Sequence, residues 1–290
     1  MLFNLPFFRQ APSILKWETE YLRHAARFAT GTQRRIRFAF TQLKECVPGD
    51  TRATRLSKTT VLCVLTDLSL RRTACSVNEV AKSLRAAWNW GVEYLDLPTE
   101  NPFRVQKFPQ DEKPRHVPSL EDFQAVYNLA SGRDALLLLT ALHTAARRNE
   151  LFRLTWQDVD LARKIIRLGT RKRRGGGMQY DWVPMTERLF TEFSSLRRDS
   201  KPSERIIFAR KSGEPFKTRA TLLRILCERA GVRRFGFHGI RHLSASMMAR
   251  GNMPLPDIQH VLRHKSSTTT VKYIHSLGVT KENLDRIFCN

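Results

Sequence analysis

Four short stretches in the second half of the chain hold side chains that could act on a phosphate ester. TAARRNEL (144–151) puts Arg147 at the start of a helical pattern with Glu150 one turn later. A guanidinium there can grip two phosphate oxygens at once, and Glu150 can hold it in place. FHGIRH (237–242) sets His238 and Arg241 three residues apart, so on a helix they share a face, with His242 four residues beyond His238. VLRHKSSTTTVKYIH (261–275) carries His264 nine residues before Tyr273. RKRR (171–174) surrounds Lys172 with Arg171, Arg173 and Arg174, and positive neighbours make a lysine a readier proton donor. Breaking a phosphodiester needs a nucleophile, charge neutralisation on the non-bridging oxygens and a proton for the leaving oxygen. These stretches hold a candidate for each role. Each also has a plainer reading: a surface Arg/Glu pair, a chance HxxR, a half-buried packing tyrosine, a basic run gripping backbone phosphates.

The elements that must position these residues follow from periodicity. In the first hundred residues Ile14, Trp17, Tyr21, Ala25 and Phe28 recur at helical spacing. Thr32 is expected to cap a second helix bearing Ile36, Phe40 and Leu43, a third includes Val61, Leu62, Leu65 and Leu68, and Ser76 with Glu79 is expected to open a fourth through Val80, Leu84, Ala87, Trp88 and Val92. This predicts a helical domain over 1–100. Pro98, Pro102, Pro109, Pro114 and Pro118, among charged residues, predict an extended linker over 101–117. A second domain, 118–290, opens with a capping box at Ser119 and Asp122 and an apolar helix through Leu136–Leu142. IIRLG (165–169) and Tyr180–Pro184 flank RKRR and Gly175–Gly177 as a β-hairpin, RIIFA (205–209) is a further candidate strand, and the pattern is helical again from Arg219.

Fifty Lys plus Arg against twenty-seven Asp plus Glu give a formal charge of +23, spread over both halves. Such an excess repels itself when folded, and a polyanionic partner relieves it. Charge alone does not separate DNA from RNA. No apolar run approaches a membrane span and no basic amphipathic anchor stands out, so no membrane partner is expected. MLFNLPFFRQAP (1–12) lacks a charged start and a small-residue cleavage site, which reads as mature sequence. Cys46, Cys63, Cys75, Cys227 and Cys289 are scattered and odd in number, as reduced thiols of a cytoplasmic protein would be.

Jointly, the motifs resemble the catalytic domain of the tyrosine recombinase, or phage integrase, family. That family orders its active site as Arg, Lys, His-x-x-Arg, His or Trp, then Tyr, with the last two nine residues apart. Here the order is Arg147, Lys172, His238, Arg241, His264, Tyr273, with that spacing. ELFRLTWQDVD (150–160) looks like the family's helix after the first arginine, and SLRAAWNWGVEYLDLPTENPF (83–103) looks like the end of a core-binding domain. The family's lysine sits on a hairpin, where Lys172 and Lys164 are the candidates. Two positions depart: the family usually has glycine where this chain has Ala145 and Arg263. Arg263 could then add a phosphate contact, beside Arg171, Arg173 and Arg174.

The resemblance implies a mainly α N-terminal bundle plus an α+β catalytic domain with a small antiparallel sheet, forming a C-shaped clamp on double-stranded DNA. It implies attack by Tyr273, charge stabilisation by Arg147 and Arg241 with His238 and His264, and protonation of the leaving oxygen by Lys172. No metal or other cofactor is implied. The working form would be a homo-tetramer on paired sites, served by DNA-bending accessory proteins, for integration or excision of a mobile element. Topoisomerase IB-like relaxation and a non-catalytic DNA clamp are the alternatives. TKENLDRIF (280–288) reads as a terminal helix that docks on its own domain or on a neighbouring subunit. The charge predicts that duplex affinity falls steeply with salt, log Kd changing by about 0.9 per neutralised phosphate for each unit of log salt. A flat response in a salt-titrated binding assay would break the link between +23 and DNA.

Overall fold

The computed structural model describes residues 11–111, 116–171, 177–210, 212–216 and 218–263. The chain divides into two compact units, Met1–Lys113 and Pro114–Asn290.

The first unit is a helical bundle of α1 (Ile14–Ala25), α2 (Thr30–Cys46), α3 (Lys58–Ser69) and α4 (Ala74–Tyr94). The two helices of this unit for which a cap was expected, α2 and α4, have their N-cap positions three residues earlier. Ser13 caps α1 through the Lys16 amide, and Thr73 rather than Ser76 caps α4, accepting from the Ser76 amide. Thr32 lies inside α2, whose N-cap position is Ala29. A hydroxyl three residues before a free amide is the capping requirement, and several Ser and Thr near a helix start can meet it. The bundle closes on Trp17, fully buried, whose ring meets Phe40 at 4.7 Å, Trp88 at 5.5 Å and Phe103 at 6.0 Å. Its indole N–H donates to the Ala87 carbonyl at 3.1 Å.

Phe103 was expected in a linker, yet it is buried in this core. Buried Asn101 donates to the Arg85 carbonyl and to Asn89, and its own oxygen accepts from the Phe103 amide. Asn78 then holds Phe108 by both its amide and its carbonyl. The prolines do keep the stretch out of helix, but apolar and amide side chains pin 101–108 to the bundle.

The second unit contains α5 (Leu120–Asn128), α6 (Gly132–Thr144), the single turn α7 (Arg148–Leu151), a three-stranded antiparallel sheet, α8 (Glu187–Asp199), α9 (Ala220–Arg229), α10 (Phe237–Arg250) and α11 (Leu255–Leu262). Ser119 and Asp122 form the expected capping box on α5. The sheet is β1 (Val159–Asp160), β2 (Ile165–Arg171) and β3 (Met178–Pro184) in that order, with Gly169 opposite Tyr180. Ile166, Leu168 and Val183 point into the core, so Thr170 continues the inward series at the end nearest α7. On the other face Arg167 stacks over Tyr180 at 4.8 Å and Trp182 at 5.7 Å. Gly169 lies beneath Tyr180, and a Cβ there would come within 2.9 Å of the ring.

Two strand expectations change. RIIFA forms no strand: isolated bridges of Ile206 to Thr155 and of Ala209 to Pro215 are its pairings, and Ile207 and Phe208 are both buried, which period-two strand geometry on a half-exposed sheet does not allow. The short β1, between two non-strand segments, carried no alternation to detect. The helix expected in 150–160 is one turn, because Thr155 restarts the chain with a capping box to Asp158 in a 3-10 turn. Because Trp17 joins α1, α2, α4 and the 101–108 segment, Trp17→Ala is expected to destabilise the first unit by about 3–5 kcal/mol in a urea melt. A loss below about 1 kcal/mol would mean that the bundle does not depend on this contact.

Candidate active site

The site is built at the corner between α6 and α7. Thr144 ends α6, and Ala145 takes a left-handed conformation at φ 48 and ψ 30 that turns the chain sharply. Arg147 is the N-cap residue of α7, and Glu150 is at its third position. Both carboxylate oxygens of Glu150 are saturated. Oε1 accepts from Arg147 Nη1 at 2.9 Å and from the Thr170 hydroxyl. Oε2 accepts from the Arg147 amide at 2.8 Å and from Arg263 Nη2 at 2.9 Å. The Glu150 side chain is 1% exposed while that of Arg147 is 37% exposed, so the carboxylate is a hidden anchor and the guanidinium keeps an open edge.

Arg241 arrives from α10, which packs on α6, and is almost fully buried. Its guanidinium donates to the Ala145 carbonyl at 2.5 Å and to the Leu262 carbonyl. It therefore ties the α6–α7 corner to the end of α11. Ala145, Ala245, Ile258 and Leu262 form a small apolar cluster that seats α11 on the same corner. Residue 263 follows at φ 53 and ψ 44, again left-handed. Both departures from the family's glycines thus fall where the backbone is left-handed, a conformation that costs a residue with a Cβ about 1–2 kcal/mol.

Arg147 and Arg241, 94 positions apart, both reach the backbone at the end of α11: Arg147 Nη2 lies 3.4 Å from the Arg263 carbonyl, and Arg241 donates to the Leu262 carbonyl. His238, one turn before Arg241 on α10, is exposed, and its ring stands edge-on to buried His242 at 4.4 Å. Arg263 is not placed as the expected surface phosphate contact. Its side chain is 3% exposed and its donors go to Glu150, to the Val261 carbonyl at 2.7 Å and to the Thr144 carbonyl at 3.3 Å. Lys164 pairs with Glu187 at 2.8 Å and lies over the Phe190 ring. Lys172, Arg173, Arg174, His264 and Tyr273, together with the side chain of Arg171, lie outside the described residues. Sequence reasoning missed Thr170. A threonine in a strand carries no signal of its own, and its role depends on the register that turns its hydroxyl inward.

Burial by itself would raise the Glu150 carboxyl. The charge of Arg263 and the hydrogen bonds from Thr170 and from Arg147 outweigh it and hold the pKa at about 2. Arg263 is pushed below its ordinary value, first by burial and then by Arg147, with Glu150 opposing. Among the described residues no group of three or more His, Cys, Asp or Glu side chains is placed to hold a metal ion, and no helix is long and apolar enough to cross a membrane.

A carboxylate depressed in the folded state stabilises fully above its ordinary pKa of 4.5 and loses that contribution as pH falls towards about 2. Glu150→Gln, which strands Arg263 without a counter-charge, is expected to destabilise the second unit by about 3–5 kcal/mol at neutral pH. The gap between wild type and variant should narrow as pH falls from 4.5 to 2. Urea unfolding at a series of pH values reads this directly, and a pH-independent gap would contradict the charge assignment.

Residues 115–278 match the phage integrase family. A protein named tyrosine recombinase XerC, from Staphylococcus saprophyticus, is 24% identical over 238 residues, covering 77% of this chain and 76% of that protein. The fold is similar to that of the Tn1549 transposon integrase in complex with a circular intermediate DNA, at TM-score 0.74 and 16% identity over 95% of this chain and 98% of that one. It is also similar to a lambda integrase dimer bound to a COC' core site, at TM-score 0.72 and 16% identity over 93% of this chain and 79% of that one. Since the match runs through more than half of its length and takes in the corner that holds Arg147, Glu150 and Arg241, this chain belongs to the phage integrase family of tyrosine recombinases, whose business is site-specific DNA recombination.

Proposed function

We propose that the chain cuts and rejoins double-stranded DNA through a 3′-phosphotyrosyl intermediate, with Arg147, Lys172, His238, Arg241, His264 and Tyr273 as its reacting groups. The observation that carries this reading is the convergence of Arg147 and Arg241 on one corner, anchored by Glu150 and by backbone carbonyls. Two guanidinia fixed at one corner suit a phosphate whose charge grows in the transition state. The Tyr273 oxygen attacks phosphorus in line as its proton passes to a base, for which exposed His238 is suited. The bond to the 5′-oxygen breaks, and Lys172 supplies that oxygen's proton. A 5′-hydroxyl from a second duplex then attacks the phosphotyrosine and restores both the ester and the tyrosine, so no nucleotide is consumed. The arginines carry the electrostatic role that a metal has in other phosphoryl-transfer sites.

In this reading residues 1–100, with 101–108 packed on them, are a core-binding domain, the rest of 101–117 is the linker and 118–290 is the catalytic domain, and both domains grip the duplex. Arg171, Arg173 and Arg174 contact its backbone. A homo-tetramer on paired sites, with DNA-bending accessory proteins, moves a mobile element in the cytoplasm, on the nucleoid. The transposon and lambda integrases of similar fold were captured on DNA, which supports the partner and the element-borne role.

The test is a nicked suicide duplex in EDTA, read as a covalent protein–DNA adduct on a denaturing gel. Wild type is expected to form the adduct and Tyr273→Phe to bind the duplex but form none. Arg147→Ala and Arg241→Ala should each slow it by on the order of a hundredfold or more. An adduct that persists in Tyr273→Phe moves the nucleophile elsewhere, and a requirement for Mg²⁺ defeats the arginine mechanism. Relaxation of supercoils without joining of two sites would favour the topoisomerase alternative, and binding without any adduct the non-catalytic clamp.

A further inference from the structure

Arg263, like Arg241, faces inward at this corner. Placing a guanidinium at 3% exposure is unfavourable by several kcal/mol unless its donors are met in good geometry. Its backbone adds to this cost, being left-handed at φ 53 in a residue with a long side chain. Both costs fall in one place, where Nη1 and Nη2 are bonded and the buried Nε–H has no hydrogen-bond partner among the described residues. Nη2 pairs with Glu150 Oε2 at 2.9 Å and reaches the Ala145 carbonyl at 3.4 Å. Nη1 bonds the carbonyls of Val261 at 2.7 Å and Thr144 at 3.3 Å. The carbonyl of the same residue accepts from Arg147 Nη2 at 3.4 Å. Arg263 therefore touches Arg147 twice, through Glu150 by its side chain and directly by its peptide. It is also covalently joined to His264.

We propose that Arg263 is a positioning residue for DNA cleavage: by sharing Glu150 with Arg147 it locks the guanidinium of Arg147 to the backbone that leads into His264. The proposal rests on the recombinase reading above. Glu150 occupies one edge of Arg147 through Nη1 and the amide, so the direction of the remaining edge is set by how Glu150 itself is held. Oε1 is held by Thr170 from β2, and Oε2 by Arg263 from the end of α11. Without Arg263 the carboxylate keeps its strand partner but loses its tie to the α11 end. The two halves of the phosphate site can then shift relative to each other. An ångström of such misplacement slows a reaction by up to about a hundredfold with little effect on ground-state binding.

The variants are Arg263→Gly, whose backbone takes φ 53 without strain, Arg263→Lys, which keeps a charge opposite Glu150, and the pair Arg263→Gly with Glu150→Gln. The measurements are single-turnover adduct formation on the suicide duplex, equilibrium affinity for that duplex, and thermal melting. Arg263→Gly is expected to bind the duplex within about threefold of wild type and to form adduct roughly tenfold to a hundredfold more slowly, with Arg263→Lys in between. Because Arg263 acts through Glu150, the double variant should be no slower than Glu150→Gln alone, within about threefold. If Arg263→Gly does not fold, Arg263→Lys carries the test, with the same split between rate and affinity. An unchanged rate overturns the proposal, as does a double variant whose rate falls by the product of the two single effects. Affinity lost in step with rate would make Arg263 a phosphate contact and overturn it too. These failures leave wild-type adduct formation intact, so the recombinase reading survives them. A wild type that binds but forms no adduct removes both.

Discussion

A carboxylate buried to 1% exposure beside two guanidinia has few arrangements open to it, and Glu150 takes the one in which four donors fill its two oxygens. Those donors come from three parts of the second unit: the start of α7, the end of β2 and the residue after α11. Desolvation would make such a group unfavourable anywhere else in the core. Here the surrounding positive charge more than reverses it, holding the carboxyl at about 2. The same interaction fixes Arg147 by one edge and leaves the other towards solvent. Much of what makes this corner suited to a phosphate follows from satisfying one buried acid.

The corner is also held by backbone. Arg241 donates to the carbonyls of left-handed Ala145 and of Leu262, the residue before left-handed Arg263. Those carbonyls lie at helix C-termini, where intrahelical partners run out and external donors are needed. A buried arginine satisfies them and is itself oriented by them. The apolar cluster of Ala145, Ala245, Ile258 and Leu262 brings the two helix ends close enough for this to happen. Small side chains there are a packing requirement, since a larger residue at 145 or 245 would push α11 away from the arginines.

In the first unit one aromatic junction has a comparable organising role. Trp17 meets rings from α2, α4 and the segment after α4, which draws Phe103 and Asn101 out of what would otherwise be free chain. A stretch rich in proline can be ordered without being helical. Asn78 and Asn101 show how, by bonding peptide groups that no secondary structure serves.

By itself the sequence determined the residue types of the site, their order, and the helices that carry them. Period and capping residues are local, so α1, α5, α6 and α10 could be read from spacing alone, as could the presence of His238 and Arg241 on one helix. The antiparallel pairing of β2 with β3 was legible because two alternating segments flank a glycine-rich stretch of sequence. Tertiary structure decided the rest. Which hydroxyl near the start of α4 caps the helix, and that α2 starts at Ala29 without one, depends on where the chain enters the bundle. That 101–108 packs rather than links depends on a tryptophan eighty-six positions before Phe103. That Arg263 faces inward to Glu150, and not outward to a phosphate, depends on a left-handed turn and a contact 113 residues away in sequence. An arginine is equally at home on a surface or in a saturated ion pair, and its type and neighbours in the sequence do not say which. The choice is made by the donors and acceptors that the fold brings within reach.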